Sequence, residues 1–320
     1  MKRLMVTGST GQIGSELTMA LRKEYGGDNV LALGHIRKPD PKLLDSGPYE
    51  ILDVAEKERI DEVVKKYDVD TIYHLVALMS GKGEQNPQLA WKLNMDSLYN
   101  ILEIARERGL SRIFWPSSIG VFGPSTPRTN TPQETVLLPS TIYGVTKVSG
   151  ELLCNYYFQK YGLDTRSIRF PGIISSETPP GGGTTDYAVE IFYEAIRTRR
   201  YTCFLKKDTR LPFLYMPDCI KATMNLMKAS LDQVKRHDGY NVSGISFSPA
   251  QLASEIMKHM PEFRCDYHPD SRQKIADSWT TSMDDSLARR EWGWKPDYDL
   301  SSLTKDMLER LSSRFAEGRL

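Results

Sequence analysis

Val6-Thr7-Gly8-Ser9-Thr10-Gly11-Gln12-Ile13-Gly14 is the stretch that decides how this chain folds. The apolar run Leu4–Thr7 leading into it has the length and composition of a buried strand, and Ile13, Leu17 and Leu21 recur behind it at helical spacing. Three glycines between a strand and a helix allow a tight turn, close approach of the backbone to a pyrophosphate, and close helix-strand packing. The helix N-terminus then offers N–H groups and a favourable dipole to the anion. Gly8, Gly11, Gln12, Ile13 and Gly14 are therefore the first candidate dinucleotide-binding residues.

Working outward, the same alternation repeats. Val30–Leu33, Thr71–Val76, Arg112–Pro116 and Thr165–Phe170 read as further buried strands. Between them Ile60, Val63 and Val64, and then Leu98, Ile101, Leu102 and Ala105, mark one face of a helix each. Strand and helix in alternation predict an α/β chain with a Rossmann-type doubly wound parallel sheet covered on both faces. The repeat ends near Pro171-Gly172, where a Pro/Gly-rich loop, residues 178–183, introduces shorter mixed elements: a helix over 185–198 and strands near 201–205 and 211–216. The helix opening at Pro217-Asp218 and the segment Tyr240-Asn241-Val242 are expected to return to the first domain. The predicted organisation is a dinucleotide domain of residues 1–172 and 211–244, with a smaller, discontinuous α/β substrate lobe of 173–210 and 245–320.

Composition narrows the function. At 320 residues the chain can bury one large core and a smaller second one. Its formal charge of +1, with acids and bases interspersed, gives no footprint for nucleic acid or an anionic membrane. No apolar stretch approaches the ~20 residues needed to cross a bilayer. The strand-like Leu4-Met5-Val6 so near Met1 is unlike a leader, which predicts a cytoplasmic protein. Cys154, Cys203, Cys219 and Cys265 form no CxxC pair and the five histidines are scattered, so reduced thiols and no metal site are expected.

The chemistry lies further along. Removing a hydride from an alcohol carbon requires a group that takes the hydroxyl proton, and a phenol can do so if its pKa falls from ~10 towards neutrality. Tyr143 and Lys147 stand four residues apart on one helix face, where the ammonium favours the phenolate. Tyr156 and Lys160 share that spacing in the same helix. What separates the pairs is Ser118, which follows the strand 112–116 at its carboxyl end, where ligands bind in open α/β sheets. Tyr156 falls in the apolar cluster Leu152, Leu153, Tyr157 and Phe158 and reads as packing or interface.

Gly8-x2-Gly11-x2-Gly14, Ser117-Ser118-Ile-Gly-Val-Phe-Gly123 and Tyr143-Gly-Val-Thr-Lys147 together resemble the extended short-chain dehydrogenase/reductases, over nearly the whole chain. Within that family Ser118-Ile-Gly-Val-Phe-Gly-Pro124, Gly181-Gly-Gly-Thr184-Thr185-Asp186-Tyr187-Ala188, Leu211-Pro-Phe-Leu-Tyr-Met-Pro-Asp218 and Ile275-Ala-Asp-Ser-Trp279 are similar to the short-chain L-threonine 3-dehydrogenases. The resemblance implies NAD as cofactor and L-threonine as substrate, with Tyr143 as base, Lys147 on the cofactor ribose and Ser118 aligning the alcohol. It further implies Ser80, Thr184, Thr185 and Trp279 around the amino acid, and Asn94 ordering the active-site helix. Val54, Leu75, Ala77, Asn94, Pro171 and Ile173 are expected along the cofactor, and a homodimer is expected through helices near 89–108 and 143–161. A nucleotide-sugar epimerase or dehydratase of the same family, and a non-catalytic dinucleotide sensor, are the rival readings.

One position departs from the pattern. A carboxylate at the end of the second strand normally takes the ribose hydroxyls of NAD. This chain has Leu33-Gly34-His35-Ile36-Arg37, so His35 stands where the acid is expected and Arg37 follows, a cation able to accommodate a 2′-phosphate. Asp53, behind Ile51-Leu52, is placed to contact the adenine or to cap the helix that follows.

Overall fold

The computed structural model describes residues 1–319. In chain order its strands are β1 (Leu4–Thr7), β2 (Val30–Gly34), β3 (Tyr49–Ile51), β4 (Thr71–His74), β5 (Arg112–Phe114), β6 (Ser117–Ser118), β7 (Thr165–Arg166), β8 (Ile168–Phe170), β9 (Gly172–Ile174), β10 (Arg200–Cys203), β11 (Leu211–Tyr215), β12 (Tyr240–Asn241), β13 (Ile245–Phe247) and β14 (Arg264–Tyr267). The helices that position the site are α1 (Gln12–Tyr25), α2 (Pro41–Asp45), α3 (Lys57–Lys66), α4 (Ser80–Gln85), α5 (Pro87–Trp91), α6 (Ser97–Arg108), α7 (Ile142–Tyr161) and α8 (Tyr187–Thr198).

Two compact units emerge. The first comprises residues 1–121, 141–169 and 220–240, the second 122–140, 170–219 and 241–320. The first is built on a six-stranded sheet in the order β3-β2-β1-β4-β5-β7, with every pairing parallel. That order, reversing direction between β1 and β4, is the doubly wound arrangement expected from the strand-helix alternation. Met5, Leu31, Ile72 and Ile113 from the sheet pack with Ile60, Val63 and Val64 of α3 and with Leu98, Ile101, Leu102 and Ala105 of α6. The helical stripes read from the sequence are thus the faces that meet the strands.

Within the second unit, β9, β11 and β13 form a mixed sheet and β10 pairs with β14. Phe213 stacks on Phe247 at 4.3 Å between ring centroids and meets Tyr187 of α8 edge-on at 5.7 Å, geometries that aromatic quadrupoles favour.

Three expectations change. Residues 165–170 do not form one strand: β7 closes the large sheet, whereas β8 joins a separate three-stranded sheet in the order β12-β8-β6. β3 had no sequence signal, because it is a three-residue edge strand whose Ile51 faces outward. The units also part from the predicted boundaries. Residues 122–140 group with the second unit, where Thr131 bridges Met283 and Arg128 Nε donates to the Trp279 carbonyl at 3.0 Å. Residues 211–219 group there too, since β11 pairs with β9 and β13.

Helix α7 carries Tyr143 and Lys147. Thr141 caps it, its Oγ1 accepting from Gly144 N–H at 3.1 Å, and Gly162 ends it with a left-handed φ of +71°. It lies so close to Trp115, the residue after β5, that a Cβ on Gly150 would sit 2.3 Å from the indole. Gly150→Ala should therefore cost about 1–3 kcal/mol through overpacking, read as a lower thermal midpoint by circular dichroism; an unchanged midpoint would show that Trp115 moves freely and does not fix the helix.

Candidate active site

The first unit brings Ser118, Tyr143 and Lys147 together. β6 delivers Ser118, whose Oγ accepts from Gly120 N–H at 3.1 Å and, with the Tyr143 ring, surrounds the Gly120 Cα. Gly120 is needed at that turn, since a Cβ there would touch the Tyr143 ring at 3.0 Å. One turn along α7, Lys147 is buried, and its Nζ donates to the Pro116 carbonyl at 2.6 Å. The same ammonium lies 4.2 Å from the centroid of the Trp115 ring and 5.5 Å from that of Tyr143, both within cation–π range. Gly150 thus seats Trp115, and Trp115 with Pro116 seats the lysine.

The electrostatics differ from the simple expectation of an acidified phenol. Burial pushes Tyr143 up to about 12, against the lowering effect of the Ser118 hydrogen bond. Burial pulls Lys147 down to about 7, with Cys154 and Glu151 acting the other way. Desolvation disfavours the charged form of each group, so the lysine alone does not make a phenolate here.

Two buried networks that carried no sequence signal hold this arrangement. Glu151, one turn beyond Lys147, accepts from Ser117 Oγ at 2.5 Å and from Arg169 Nε and Nη2 at 2.8 Å each. This buried bidentate pair ties α7 to the residue before Ser118. On the other flank His74, at the end of β4, is fully buried with Nδ1 2.8 Å from Thr7 Oγ1 and Nε2 3.0 Å from Ser97 Oγ. Ser97 donates its proton to the Leu93 carbonyl, and Thr7 Oγ1 accepts from Leu75 N–H. Ser97 must then accept from His74 Nε2–H, while Thr7 donates to Nδ1, which assigns one neutral tautomer.

Asn94 sits in a π-helical turn over Lys92–Asp96, between α5 and α6. Its Oδ1 accepts from Leu78 N–H at 2.7 Å, and its Nδ2 donates to the Leu78 carbonyl at 3.2 Å and to Thr146 Oγ1 at 3.1 Å. It couples the loop after β4, which contains Leu75 and Ala77, to the residue preceding Lys147. Ser80, buried, opens α4 from the end of that loop.

The glycine turn fits a dinucleotide pyrophosphate. Gly8 has φ +70°, and a Cβ on Gly14 would lie 2.1 Å from the Gly8 carbonyl oxygen. At the start of α1 the N-cap Gly11 contributes no side-chain cap and the first turn holds no acid. Gln12 and Ile13, half-buried, complete that turn, and Ser9 Oγ and N–H both bond the Leu33 carbonyl, fixing it to β2. At the end of β2, His35 and Arg37 are exposed. Asp53 Oδ1 accepts from Ala55 N–H at 3.0 Å, a turn-forming bond, and Val54 beside it is buried.

The remaining predicted residues belong to the second unit. Pro171 is buried and Ile173 is half-buried in β9; a Cβ on Gly172 between them would meet Thr185 Cβ at 2.9 Å. Thr184 is buried ahead of α8, whose N-cap is Asp186 rather than a threonine. Asp186 Oδ2 accepts from Gly181 and Gly183 N–H at 2.7 and 2.8 Å, pinning the glycine-rich loop. Trp279 is buried, with its carbonyl on Arg128. Tyr156, the second tyrosine at the same spacing, is exposed, with Lys160 Nζ 5.3 Å from its ring centroid. Among the described residues no cluster of side chains could hold a metal ion, and no helix is long and apolar enough to cross a membrane.

A parallel sheet in this order, a glycine turn ahead of its first helix and a serine-tyrosine-lysine set define a nicotinamide-dependent enzyme class. The model of the NAD dependent epimerase/dehydratase family matches residues 4–243, and the chain belongs to that family. An uncharacterised epimerase/dehydratase of Staphylococcus haemolyticus is 51% identical over 316 residues, covering 98% of this chain and 99% of that protein. Among solved structures, L-threonine dehydrogenase from Clostridium difficile is 50% identical with a TM-score of 0.95, covering 98% of each chain. L-threonine dehydrogenase from Cupriavidus necator in its holo form is 47% identical with a TM-score of 0.94, covering 97% of this chain and 99% of that one. A monomeric L-threonine 3-dehydrogenase from a metagenome is 43% identical with a TM-score of 0.93, covering 97% and 99%.

His74 makes the site's framework sensitive to acid. Burial, with the Lys147 charge adding to it, lowers His74 to about 3, whereas an unfolded histidine titrates near ~6.5. Between those values the unfolded chain binds the extra proton, so this contribution to stability is complete above ~6.5 and is lost as pH falls towards 3. Urea midpoints at pH 7 and pH 5 (about half a unit above and about one and a half below that unfolded value) should differ more in the wild type than in His74→Gln, which keeps a donor towards Ser97 but has no proton to gain. Equal differences would remove His74 from the acid response.

Proposed function

We propose that this chain oxidises the β-hydroxyl of L-threonine to 2-amino-3-oxobutyrate, with NAD as hydride acceptor. The observation that carries the reading is Ser118 set beside the buried Tyr143 with the buried Lys147 one turn along the same helix, in a chain half identical, end to end, to an L-threonine dehydrogenase.

The reaction removes a hydride from the β-carbon and a proton from its hydroxyl, turning the C–O single bond into a carbonyl. When bound, NAD supplies the electrophilic ring that receives the hydride. Tyr143 receives the proton, the role its position beside Ser118 supports. Ser118 Oγ holds the substrate oxygen in line with the phenol, so that proximity and orientation replace a bimolecular encounter. Lys147, buried between Trp115 and Tyr143, places a proton-bearing nitrogen next to the phenol and is the residue for the cofactor ribose. Val54, Leu75, Ala77, Asn94, Pro171 and Ile173 are proposed along the dinucleotide. Ser80, Thr184, Thr185 and Trp279 are proposed around the amino acid; short hydroxyls suit a small zwitterion, whereas a nucleotide-sugar would call for basic or aromatic partners.

The enzyme is proposed to act as a homodimer in the cytoplasm. On α7 Leu152 is 65% exposed and is flanked by exposed Tyr156 and Tyr161, with exposed Tyr99 on neighbouring α6. Such a contiguous apolar face suits a second copy of itself across a two-fold axis.

Two outcomes test these readings. Tyr143→Phe should retain dinucleotide binding while threonine-dependent reduction of NAD, followed by nicotinamide absorbance, falls at least ~100-fold. A variant with full turnover would rule the phenol out as base, and a wild type giving no net reduction with threonine would favour an epimerase or a sensor. In sedimentation velocity the wild type should run at twice the chain mass and Leu152→Glu at the chain mass. A wild type already at the chain mass would exclude the dimer.

A further inference from the structure

The carboxyl end of β2 is chemically unusual for a protein that binds NAD. In this fold the residue there meets the adenosine ribose, and an acid accepts the 2′-hydroxyl while repelling a 2′-phosphate. Gly34 is followed instead by His35, Ile36, Arg37 and Lys38, all exposed. Arg37 is not a free surface cation. Its Nη1 donates to the Thr10 carbonyl at 3.2 Å, which parks the guanidinium on the glycine turn at the mouth of the dinucleotide groove and leaves the rest of its fork to solvent.

The acids that could take over the missing role are engaged elsewhere. Asp40 accepts from Lys42 N–H at 2.8 Å as the cap of α2. Glu50 accepts from Lys66 Nζ at 2.6 Å and from the Tyr67 hydroxyl at 2.8 Å, and Asp53 is held in the turn with Ala55. A phosphate arriving at the 2′-position therefore meets a guanidinium, an ammonium and an imidazole, with no carboxylate at the strand end. Guanidinium-phosphate contacts are among the stronger charge-assisted hydrogen bonds.

We propose that the end of β2 admits a 2′-phosphate, so that this chain binds NADP as well as NAD, with Arg37 as the phosphate ligand and the absence of an acid at His35 as the permissive change. The proposal rests on the dinucleotide half of the functional reading and not on threonine. Its test uses no substrate: calorimetric titration of the full chain with NAD, NADP, 5′-AMP and 2′-AMP. NADP should bind within about tenfold of NAD. 2′-AMP should bind at least as tightly as 5′-AMP, and the NADP affinity should fall more steeply with salt, as a screened charge contact does. Arg37→Ala should weaken NADP about tenfold more than NAD, and His35→Asp should weaken NADP while NAD is held or tightened. Thermal melts of both variants should match the wild type, since both side chains are exposed. NADP weaker than NAD by more than tenfold, or an Arg37→Ala loss equal for the two dinucleotides, would overturn the proposal, the second by making Arg37 a brace for the glycine turn alone. Neither result bears on whether threonine is oxidised.

Discussion

The structure depends on keeping a lysine ammonium in a place that water does not reach. An unpaired buried charge is expensive, and the expense is met by neutralisation or by specific partners. Lys147 has both. Its Nζ bonds one carbonyl and faces the Trp115 ring, while burial brings it to about 7, where the neutral form is accessible. Each partner makes a further demand. Trp115 can underlie the lysine because α7 has no side chain at Gly150, and Pro116 can present its carbonyl because the chain turns there from β5 into β6. The same turn sets down Ser118 two residues on, so the geometry that shelters the ammonium also delivers the hydroxyl.

The surrounding networks fix where α7 stops sliding. Glu151 is locked by Arg169 and Ser117 in a pair that is hydrogen-bonded throughout, the condition under which a buried ion pair specifies a register. Asn94 does the same from the opposite side, through Thr146. The π turn that carries Asn94 inserts an extra residue per turn, and such bulges are common where a side chain must be re-aimed at a site. His74 then joins β1, β4 and α6 through one ring, so the carboxyl ends of the two central strands, beside which a dinucleotide lies in this fold, are cross-braced.

Much of this was legible in the sequence, and the reason is local periodicity. The glycine turn, five of the six central strands and the faces of α3 and α6 announce themselves within windows of a few residues. Tyr143 and Lys147 are separable from Tyr156 and Lys160 by asking which pair has a strand end beside it, and Tyr143 is buried where Tyr156 is exposed. Glu151 with Arg169, and His74 with Thr7 and Ser97, were not legible, because partners brought together by sheet order leave no pattern along the chain. Residues 122–140 read as part of the first domain for the same reason: the bonds of Arg128 to Trp279 and of Thr131 to Met283 cross more than a hundred positions. The burial that Tyr143 and Lys147 share, which raises the one and lowers the other, leaves no pattern along the chain either.

That shared burial has a mechanistic meaning. Desolvation raises the phenol to about 12 and lowers the ammonium to about 7, so the chain's own groups favour a neutral pair in which the proton to be exchanged sits on oxygen. A positive charge brought close to both, such as an oxidised nicotinamide, lowers both values together, because it disfavours the protonated lysine and favours the phenolate. In so dry a site its effect is weakly screened. On the proposed reading, Tyr143 would accept a proton more readily with such a charge beside it than without.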